Sequence, residues 1–378
     1  MRHSILLNLG HCDRISGALA GTDQEPAYKT FSFRVKDATS RKHLAAYGKA
    51  TNTVWNYINE ISERSARRGA KWATKKQLRD LTKGASKELG LPSQVIQEII
   101  DEFLTKRRKV GRPKLRWRVS RGPRRSLGWI PFTNQDVEII GSLAMFRGRK
   151  IRLWKHREVQ GRFKSGNFSQ DARGRWYCNI VCEVERQTTN RTHIVGIDLG
   201  HKTATKCSDG QELLQARFYR DLEDKLAEAQ RAGRKRQVQA IHAKIANRRK
   251  DTLHKFSRAV VNRSGAVFVG NISSTWQIAS GAAKATHDVS WSMLRNFLKY
   301  KCDHAGVAFA EVDESYTTQA CSGCDARSGP QGREGLAVRL GVCSECGSAH
   351  DRDRTAALTI ARLGCETLGL KGPGSLVL

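Results

Sequence analysis

His193-Ile194-Val195-Gly196-Ile197-Asp198-Leu199-Gly200 reads as a short buried strand that ends on an acid. A run this apolar, bounded by polar residues, suits a strand covered on both faces. A second strand follows at Thr203 to Cys207 and is turned by Asp209-Gly210. An Asp before glycine is also an ordinary turn former, so the local sequence leaves Asp198 two readings, turn residue or metal ligand. Downstream, His350-Asp351-Arg352-Asp353-Arg354-Thr355-Ala356-Ala357 opens an apolar helix that continues through Ile360 and Ala361. Asp353 fits two roles there. It is either an N-cap satisfying the backbone N–H groups of the next turn or a carboxylate projecting from the helix start toward a metal. Asp351 stands close enough to take the ligand role instead; Asp353 is preferred.

The most specific motif lies between these acids. Cys321-x-x-Cys324 and Cys343-x-x-Cys346 are separated by 18 residues. Two such knuckles match a zinc ribbon, in which four thiolates hold one tetrahedral Zn²⁺ and leave no position open for catalysis. The loop between them is Gly-rich and polar, and it needs the metal to fold. A disulfide reading requires an oxidising compartment, which nothing in the sequence supports. The other cysteines (Cys12, Cys178, Cys182, Cys207, Cys302 and Cys365) are scattered and read as small buried apolar residues.

The chain has 378 residues and carries 67 Lys and Arg against 36 Asp and Glu, a formal charge of +31. Such an excess opposes compaction and favours a polyanionic partner. A membrane-surface role is weaker, because no strong amphipathic apolar face accompanies the charge. No segment approaches the roughly 18 unbroken apolar residues of a membrane span. Ile5-Leu6-Leu7, broken by Asn8, is too short for a signal-peptide core. The expectation is a cytoplasmic protein that handles nucleic acid. Charge alone leaves open a purely binding, ribosomal or chromatin-like role.

Residues 1–26 lack periodicity and are expected to form a flexible leader. From Tyr28 the alternation of Phe31, Phe33 and Val35 predicts a strand. Asp37 with Thr39 or Ser40 then supplies the cap of a helix carrying Leu44, Val54, Trp55 and Ile58. A further helical stretch runs from about Ser93 to Leu104. Next come Lys106, Arg107, Arg108, Lys109, Arg112, Lys114, Arg116, Arg118, Arg121, Arg124 and Arg125, uninterrupted by any acid. A solvated charged face is one reading. The interleaved Pro113 and Trp117 favour a groove wall contacting phosphates. Residues 127–185 read as β-rich, so the N-terminal half is expected to bind and the C-terminal half to carry chemistry.

An apolar strand ending in Asp and followed by a glycine hairpin is how RNase H-like folds present a first metal ligand. Phosphodiester hydrolysis of that kind needs several carboxylates converging on two Mg²⁺ ions about 4 Å apart, one activating water and the other stabilising the leaving oxygen. Strand-end Asp, zinc ribbon and D-R-D helix start, in that order, resemble the TnpB family of transposon-encoded proteins and the related type V CRISPR effectors. The resemblance covers roughly Tyr28 to Gly364. Ala246-Asn247-Arg248-Arg249-Lys250-Asp251-Thr252-Leu253-His254-Lys255 is similar to the family's basic helix between the first two RuvC segments, which makes Arg248 and Arg249 candidate nucleic-acid contacts. Tyr316-Thr317-Thr318-Gln319-Ala320-Cys321 is similar to its entry into the ribbon, and Cys343 to Ala357 to the zinc exit plus the third RuvC segment. The resemblance implies a guide RNA that pairs with one strand of a double-stranded target DNA, and a RuvC nuclease that cuts both strands with Mg²⁺. The protein itself then reads duplex shape and a short adjacent motif. The charge of +31 serves to hold a folded RNA and a heteroduplex.

One position departs from the family pattern. The second RuvC segment usually ends its strand with Glu, but here Val267-Phe268-Val269 is followed by Gly270-Asn271. The next strand, Val307 to Val312, is expected to lie parallel beside it, joined by a helix around Trp291 to Cys302. Right-handed crossovers place both C-terminal ends on one edge of the sheet. Glu314, just past that end, is the preferred replacement, with Glu311 and Asp313 as alternatives. The expected magnesium-binding and catalytic set is Asp198, Glu314 and Asp353.

The expected fold is multidomain α/β: an RNase H-like RuvC nuclease core with an inserted four-Cys zinc ribbon, preceded by a β-barrel wedge domain interrupted by a helical recognition insert. Its parts are a leader (1–26), the wedge (27–40 and 126–190), the insert (41–125), the RuvC domain (191–315 and 350–364), the ribbon (316–349) and a disordered tail (365–378). Long helices around Leu222 to Val261 are expected to form a basic insert beside the active site. The expected function is TnpB-like RNA-guided DNA cleavage by a monomer. A compact type V CRISPR effector and a nuclease-inactive RNA-guided repressor are the alternatives. A DNA transposase proper is disfavoured, because no end-binding modules are identifiable.

Overall fold

The computed structural model describes residues 26–67, 69, 72–200, 203–214, 216–271, 290–329, 335 and 338–370. The chain divides into two compact units, Pro26–Glu185 and Arg186–Leu378. The expected leader, apart from Pro26, lies outside the described residues.

In the first unit, strand β1 (Ala27–Val35) alternates as its sequence requires, with Phe31, Phe33 and Val35 buried and Ser32 and Arg34 exposed. Asp37 then caps helix α1 (Ala38–Arg67), its Oδ1 accepting the Ser40 amide at 2.7 Å. Helices α2 (Lys75–Leu81) and α3 (Ala85–Leu89) lead to α4 (Ser93–Val110), which stops at Gly111 in the left-handed region. After an irregular strap come β2 (Trp129–Thr133), β3 (Val137–Ile140), β4 (Leu143–Phe146), β5 (Arg149–Trp154), β6 (Arg162–Gln170) and β7 (Trp176–Val184). They form a nearly closed, barrel-like sheet ordered β2-β6-β7-β1-β5-β4-β3. One core joins sheet and helices: Phe132, Phe146, Phe168 and Trp176 from strands, with Trp55, Ile58, Ile99 and Phe103 from α1 and α4.

The second unit is built on a five-stranded sheet. Strand β8 (Ile194–Asp198) is central, with β9 (Thr203–Cys207) and β10 (Glu212–Leu214) folded back beside it. Helices α5 (Glu223–Arg231) and α6 (Lys235–Arg263) precede β11 (Ala266–Gly270), and α7 (Trp291–Ala305) joins β11 to β12 (Ala308–Val312). The order is β10-β9-β8-β11-β12, with β8, β11 and β12 mutually parallel. A small hairpin, β13 (Leu340–Val342) with β14 (Ala349–Asp351), leads into α8 (Arg352–Thr367).

Residues of β11 are buried on both faces, as a central parallel strand requires. Val267 and Val269 join Leu253, Phe256, Leu294 and Leu298 of α6 and α7. Phe268 points the other way, toward Ile360 and Cys365 of α8. Helix α8 lies so close to the sheet that a Cβ on Gly196 would stand 2.0 Å from the Ala357 carbonyl oxygen, and one on Gly364 2.0 Å from the Phe268 ring.

Two expectations need correction here. The tail does not begin at residue 365: α8 runs to Thr367, and buried Cys365 and Leu370 complete the cluster around Phe268. Residues 371–378 lie outside the described residues. The helices from Leu222 onward are also not simply a basic insert, because Leu253, Phe256, Val260 and Val261 of α6 belong to the core. The amphipathic face of that helix was hidden by the arginines and lysines around it.

Candidate active site and metal centre

Because β8, β11 and β12 are parallel, their C-terminal ends share one sheet edge. Asp198 is the last residue of β8. Gly270 ends β11 opposite Val312, and the Asn271 amide bonds the Val312 carbonyl at 2.9 Å. Two residues further on, Glu314 is held in a turn by Thr317, whose amide and hydroxyl reach its carbonyl at 3.1 and 2.8 Å. Its side chain lies over Gly270, where an added Cβ would stand 2.1 Å from Oε2. That oxygen is buried without a hydrogen-bond partner. The two alternatives are otherwise engaged. Asp313 accepts the Ser315 amide and hydroxyl at 3.1 and 2.8 Å, and exposed Glu311 stands 3.6 Å from Arg295.

The start of α8 separates its two acids. Asp351 is the N-cap: Oδ1 accepts the amides of Asp353 and Arg354 at 3.1 and 3.2 Å, while Oδ2 takes Lys206 Nζ at 2.8 Å. Burial works against its charge, but Lys206 and the helix amides hold the carboxyl below the usual range. The cap role that sequence allowed to Asp353 therefore falls to Asp351. Asp353 lies within the first turn and pairs with Arg339 at 2.6 Å.

These acids act on one another. Burial, then the charges of Glu314 and Asp353, push the Asp198 carboxyl up to about 7. Burial also pushes Glu314 up to about 7, with Asp313 adding to the rise and Arg295 opposing it. Carboxyls that resist ionisation, chiefly because burial strips them of water and secondarily because other acids stand near, are candidates for binding positive charge. Among the described residues, the set of side chains grouped closely enough to hold one metal ion is nevertheless the four cysteines, all within 4.8 Å of one another; the three carboxylates do not form such a group.

The cysteine set is preformed. Sγ of Cys321 is 3.6 Å from that of Cys346, and Cys324 is 3.6 Å from Cys343. A tetrahedron with zinc–sulfur bonds of about 2.3 Å has edges of about 3.8 Å, so the spacing fits zinc. Each knuckle closes in the same way: Asp325 and Gly347 amides bond the carbonyls of Cys321 and Cys343, both at 3.0 Å. Gly347 holds a φ of 72°, which glycine accepts without strain. Outer donors surround the sulfurs, with the Gly323 amide on Cys321 at 3.3 Å and the Ser328 hydroxyl on Cys343 at 3.1 Å. None of the nine described cysteines forms a disulfide.

The basic candidates divide. Lys109, Arg108, Arg112, Arg116 and Arg248 are exposed. Lys106 pairs with Glu102 at 2.9 Å and Lys114 with Glu63 at 2.9 Å. Arg118 folds back onto Asn52 at 2.6 Å and the Leu127 carbonyl at 2.7 Å. Arg107 and Arg249 differ from these. Both are buried, and Arg107 spends its guanidinium on the Ser62 hydroxyl and the Ala73 carbonyl at 2.8 and 2.9 Å. Sequence reasoning also missed a polar stripe on α1, formed by Asn52, Asn56, Asn59 and Ser62. Its spacing of three or four residues was the available signal.

Residues 179–275 match the family described as "Probable transposase" (OrfB_IS605), and residues 291–360 match the "Cas12f1-like, TNB domain". A Streptomyces pristinaespiralis protein provisionally named an RNA-guided DNA endonuclease is 32% identical over 211 residues, covering 52% of this chain and 52% of that protein. The Cas12f1 CRISPR-associated endodeoxyribonuclease of Sulfoacidibacillus thermotolerans is 28% identical over 223 residues, 50% of this chain and 51% of its own. The matched region thus spans about half the length of these relatives. In a solved Cas12f1–sgRNA–target DNA complex, the protein superposes with a TM-score of 0.59 at 12% identity, covering 92% of this chain and 100% of that one. That likeness shows a shared fold. The resemblance read from the sequence therefore holds: this chain is similar to the TnpB-type, OrfB-related RNA-guided DNA endonucleases and to the compact Cas12f1 effectors.

Proposed function

We propose that this chain is an RNA-guided DNA endonuclease of the TnpB type. Its second unit is a RuvC nuclease of RNase H-like fold carrying a zinc ribbon, and its first is a wedge barrel with recognition helices. The reading rests above all on Glu314, whose buried, unpartnered oxygen occupies the space that Gly270 leaves at the end of β11. An acid in that condition, beside Asp198 with its raised pKa, fits a divalent cation better than it fits any role in stability.

Asp198, Glu314 and Asp353 would hold two Mg²⁺ ions, which when bound supply charge neutralisation and an activated water. The chain's own residues set the stage. The parallel strands β8 and β12 bring Asp198 and Glu314 to one edge, and the Asp351 cap fixes the first turn of α8 that carries Asp353. Arg339 pairs with Asp353 and partly balances the acidic cluster. The four cysteines would hold one structural Zn²⁺ and the basic face a guide RNA and target DNA.

The test is to express the gene with its native flanking DNA, sequence the RNA that copurifies, and assay cleavage of the matching duplex. A single structured RNA and Mg²⁺-dependent cutting that Asp198→Ala abolishes are expected. Heterogeneous RNA without cutting would overturn the proposal. The match of residues 291–360 to a Cas12f1-like domain favours a compact type V effector as the second reading, which a repeat array beside the gene would support.

A further inference from the structure

The buried polar stripe on α1 is chemically unusual. Asn59 is fully buried, Ser62 is fully buried and Asn52 is nearly so. Buried amides and hydroxyls are costly unless their hydrogen bonds are met. Here they are met by the irregular strap that follows α4. Asn59 donates to the Leu115 carbonyl and accepts the Leu115 amide, both at 2.8 Å. One turn earlier, Asn56 does the same with Arg118, at 2.9 and 2.8 Å. Ser62 donates to the Pro113 carbonyl at 2.7 Å, and Trp55 Nε1 to the Arg116 carbonyl at 3.3 Å. The side-chain amides take the place of a neighbouring strand's backbone, so residues 113–118 are held in place although they belong to no helix or strand.

Such a device fixes a peptide that belongs to the most basic stretch of the chain. Arg112 and Arg116 are exposed and form no ion pair among the described residues. Between Arg116 and Arg118, Trp117 is 43% exposed. A backbone fixed in place, with exposed guanidinium groups and an exposed aromatic ring, matches what single-stranded nucleic acid requires, phosphate neutralisation with base stacking. We infer that the strap is a preformed rail for one nucleic-acid strand: Arg112 and Arg116 bind phosphates, Trp117 stacks on a base, and Asn56 and Asn59 are positioning residues. Fixing the strap before binding removes the entropy of ordering it from the cost of association. This rests on the nucleic-acid function proposed above and adds which strand chemistry the face takes and what holds it ready.

The experiment uses the full chain, freed of copurifying RNA, and fluorescein-labelled single strands of about 16 nucleotides, one RNA and one DNA. Affinity is measured against salt. Each phosphate contact contributes about 0.7 to the slope of log K on log salt, so Arg112→Ala with Arg116→Ala should flatten it by about 1.4. Trp117→Ala should weaken binding by roughly 5- to 100-fold with the slope unchanged, and Trp117→Phe should restore most of it. Asn56→Ala, at a half-buried site that tolerates truncation better than Asn59, keeps every charge. It should weaken binding at constant slope, quicken hydrogen exchange of the Arg118 amide in the free protein, and let that protection return when RNA binds. The ratio of RNA to DNA affinity identifies the strand. Wild-type protein that binds neither probe would defeat the nucleic-acid reading itself. Salt-dependent wild-type binding that the arginine and Trp117 variants leave unchanged would defeat the rail alone. Faster exchange in Asn56→Ala with unaltered affinity would remove the positioning role.

Discussion

Replacing Gly270 by alanine adds one methyl group and deletes no functional group, yet it is expected to disable cutting. The new Cβ would lie 2.1 Å from Oε2 of Glu314, 3.2 Å from its Cδ and 3.3 Å from its Cβ. Normal contact begins near 3.5 Å, so the carboxylate oxygen must retreat by roughly 1.4 Å. A misplacement of about 1 Å in a reacting constellation costs on the order of 100-fold in rate. Stability should change by less than about 1 kcal/mol, because residue 270 has no positive φ and the atom in the way ends a flexible side chain. Single-turnover cleavage of a matched duplex by the protein–RNA complex at saturating Mg²⁺ gives the rate. Thermal unfolding and RNA affinity serve as controls. Cleavage within about threefold of wild type would refute the argument that Glu314 occupies the place vacated at Gly270.

Other outcomes follow from the same geometry. Glu314→Ala should abolish cutting while leaving RNA binding intact, and adding Gly270→Glu should recover part of the activity by returning a carboxylate to the end of β11; a double variant as inactive as the single one would mean the two positions do not share one place. Without divalent ions, Asp198 and Glu314 keep protons up to about pH 7 in the folded state, whereas the unfolded chain releases them near pH 4. Folding is therefore expected to weaken between about pH 4 and pH 7, by at most ~4 kcal/mol from Asp198. The melting temperature should be lower at pH 8 than at pH 5, with Mg²⁺ raising it more at pH 8; a rise with pH that Asp198→Asn leaves unchanged would contradict this. Metal analysis should find one zinc per chain, and Cys343→Ser should lose it together with cutting; full activity in a zinc-free protein would exclude the structural role. Asp351→Ala should cost about 1 kcal/mol through the lost cap and keep most activity, whereas Asp353→Asn should stop cutting with little effect on melting. The reverse pattern would exchange their roles.

Where the chemistry is local, the sequence was readable. The β8 strand ending in Asp198 and the paired cysteine knuckles depend on residues a few positions apart, and both appear where their patterns put them. The parallel pairing of β11 and β12 also followed, because a strand–helix–strand unit has one dominant handedness. What escaped notice depends on partners distant in the chain. Arg107 sits in a basic run that advertises solvent exposure, but Ser62 and the Ala73 carbonyl draw it inside. The asparagines of α1 resemble surface polar residues until the strap more than 50 residues away supplies their partners. Asp351 and Asp353 both fitted the ligand role in sequence, with Asp353 preferred, and only the helix start, two positions apart for the two acids, shows that Asp351 is the cap.

The hairpin of β13 and β14 links the cysteine cluster to the acids with almost no slack. Leu340 pairs with Asp351, the Arg352 amide bonds the Arg339 carbonyl at 2.8 Å, and Asp325 beside a knuckle is ion-paired to Arg362 on α8. On the proposed reading, Glu314 and Asp353 lie at the two ends of the segment that the zinc ties together. Oxidants and electrophiles that attack exposed Cys324 and Cys346 would then loosen that tie and let the acids drift. Nuclease output would follow the thiol redox state of its surroundings through atoms that never meet the DNA. Preparations that have lost zinc during purification would behave as binding proteins that do not cut, so assays of such chains need reducing conditions and a metal count before inactivity is assigned to sequence.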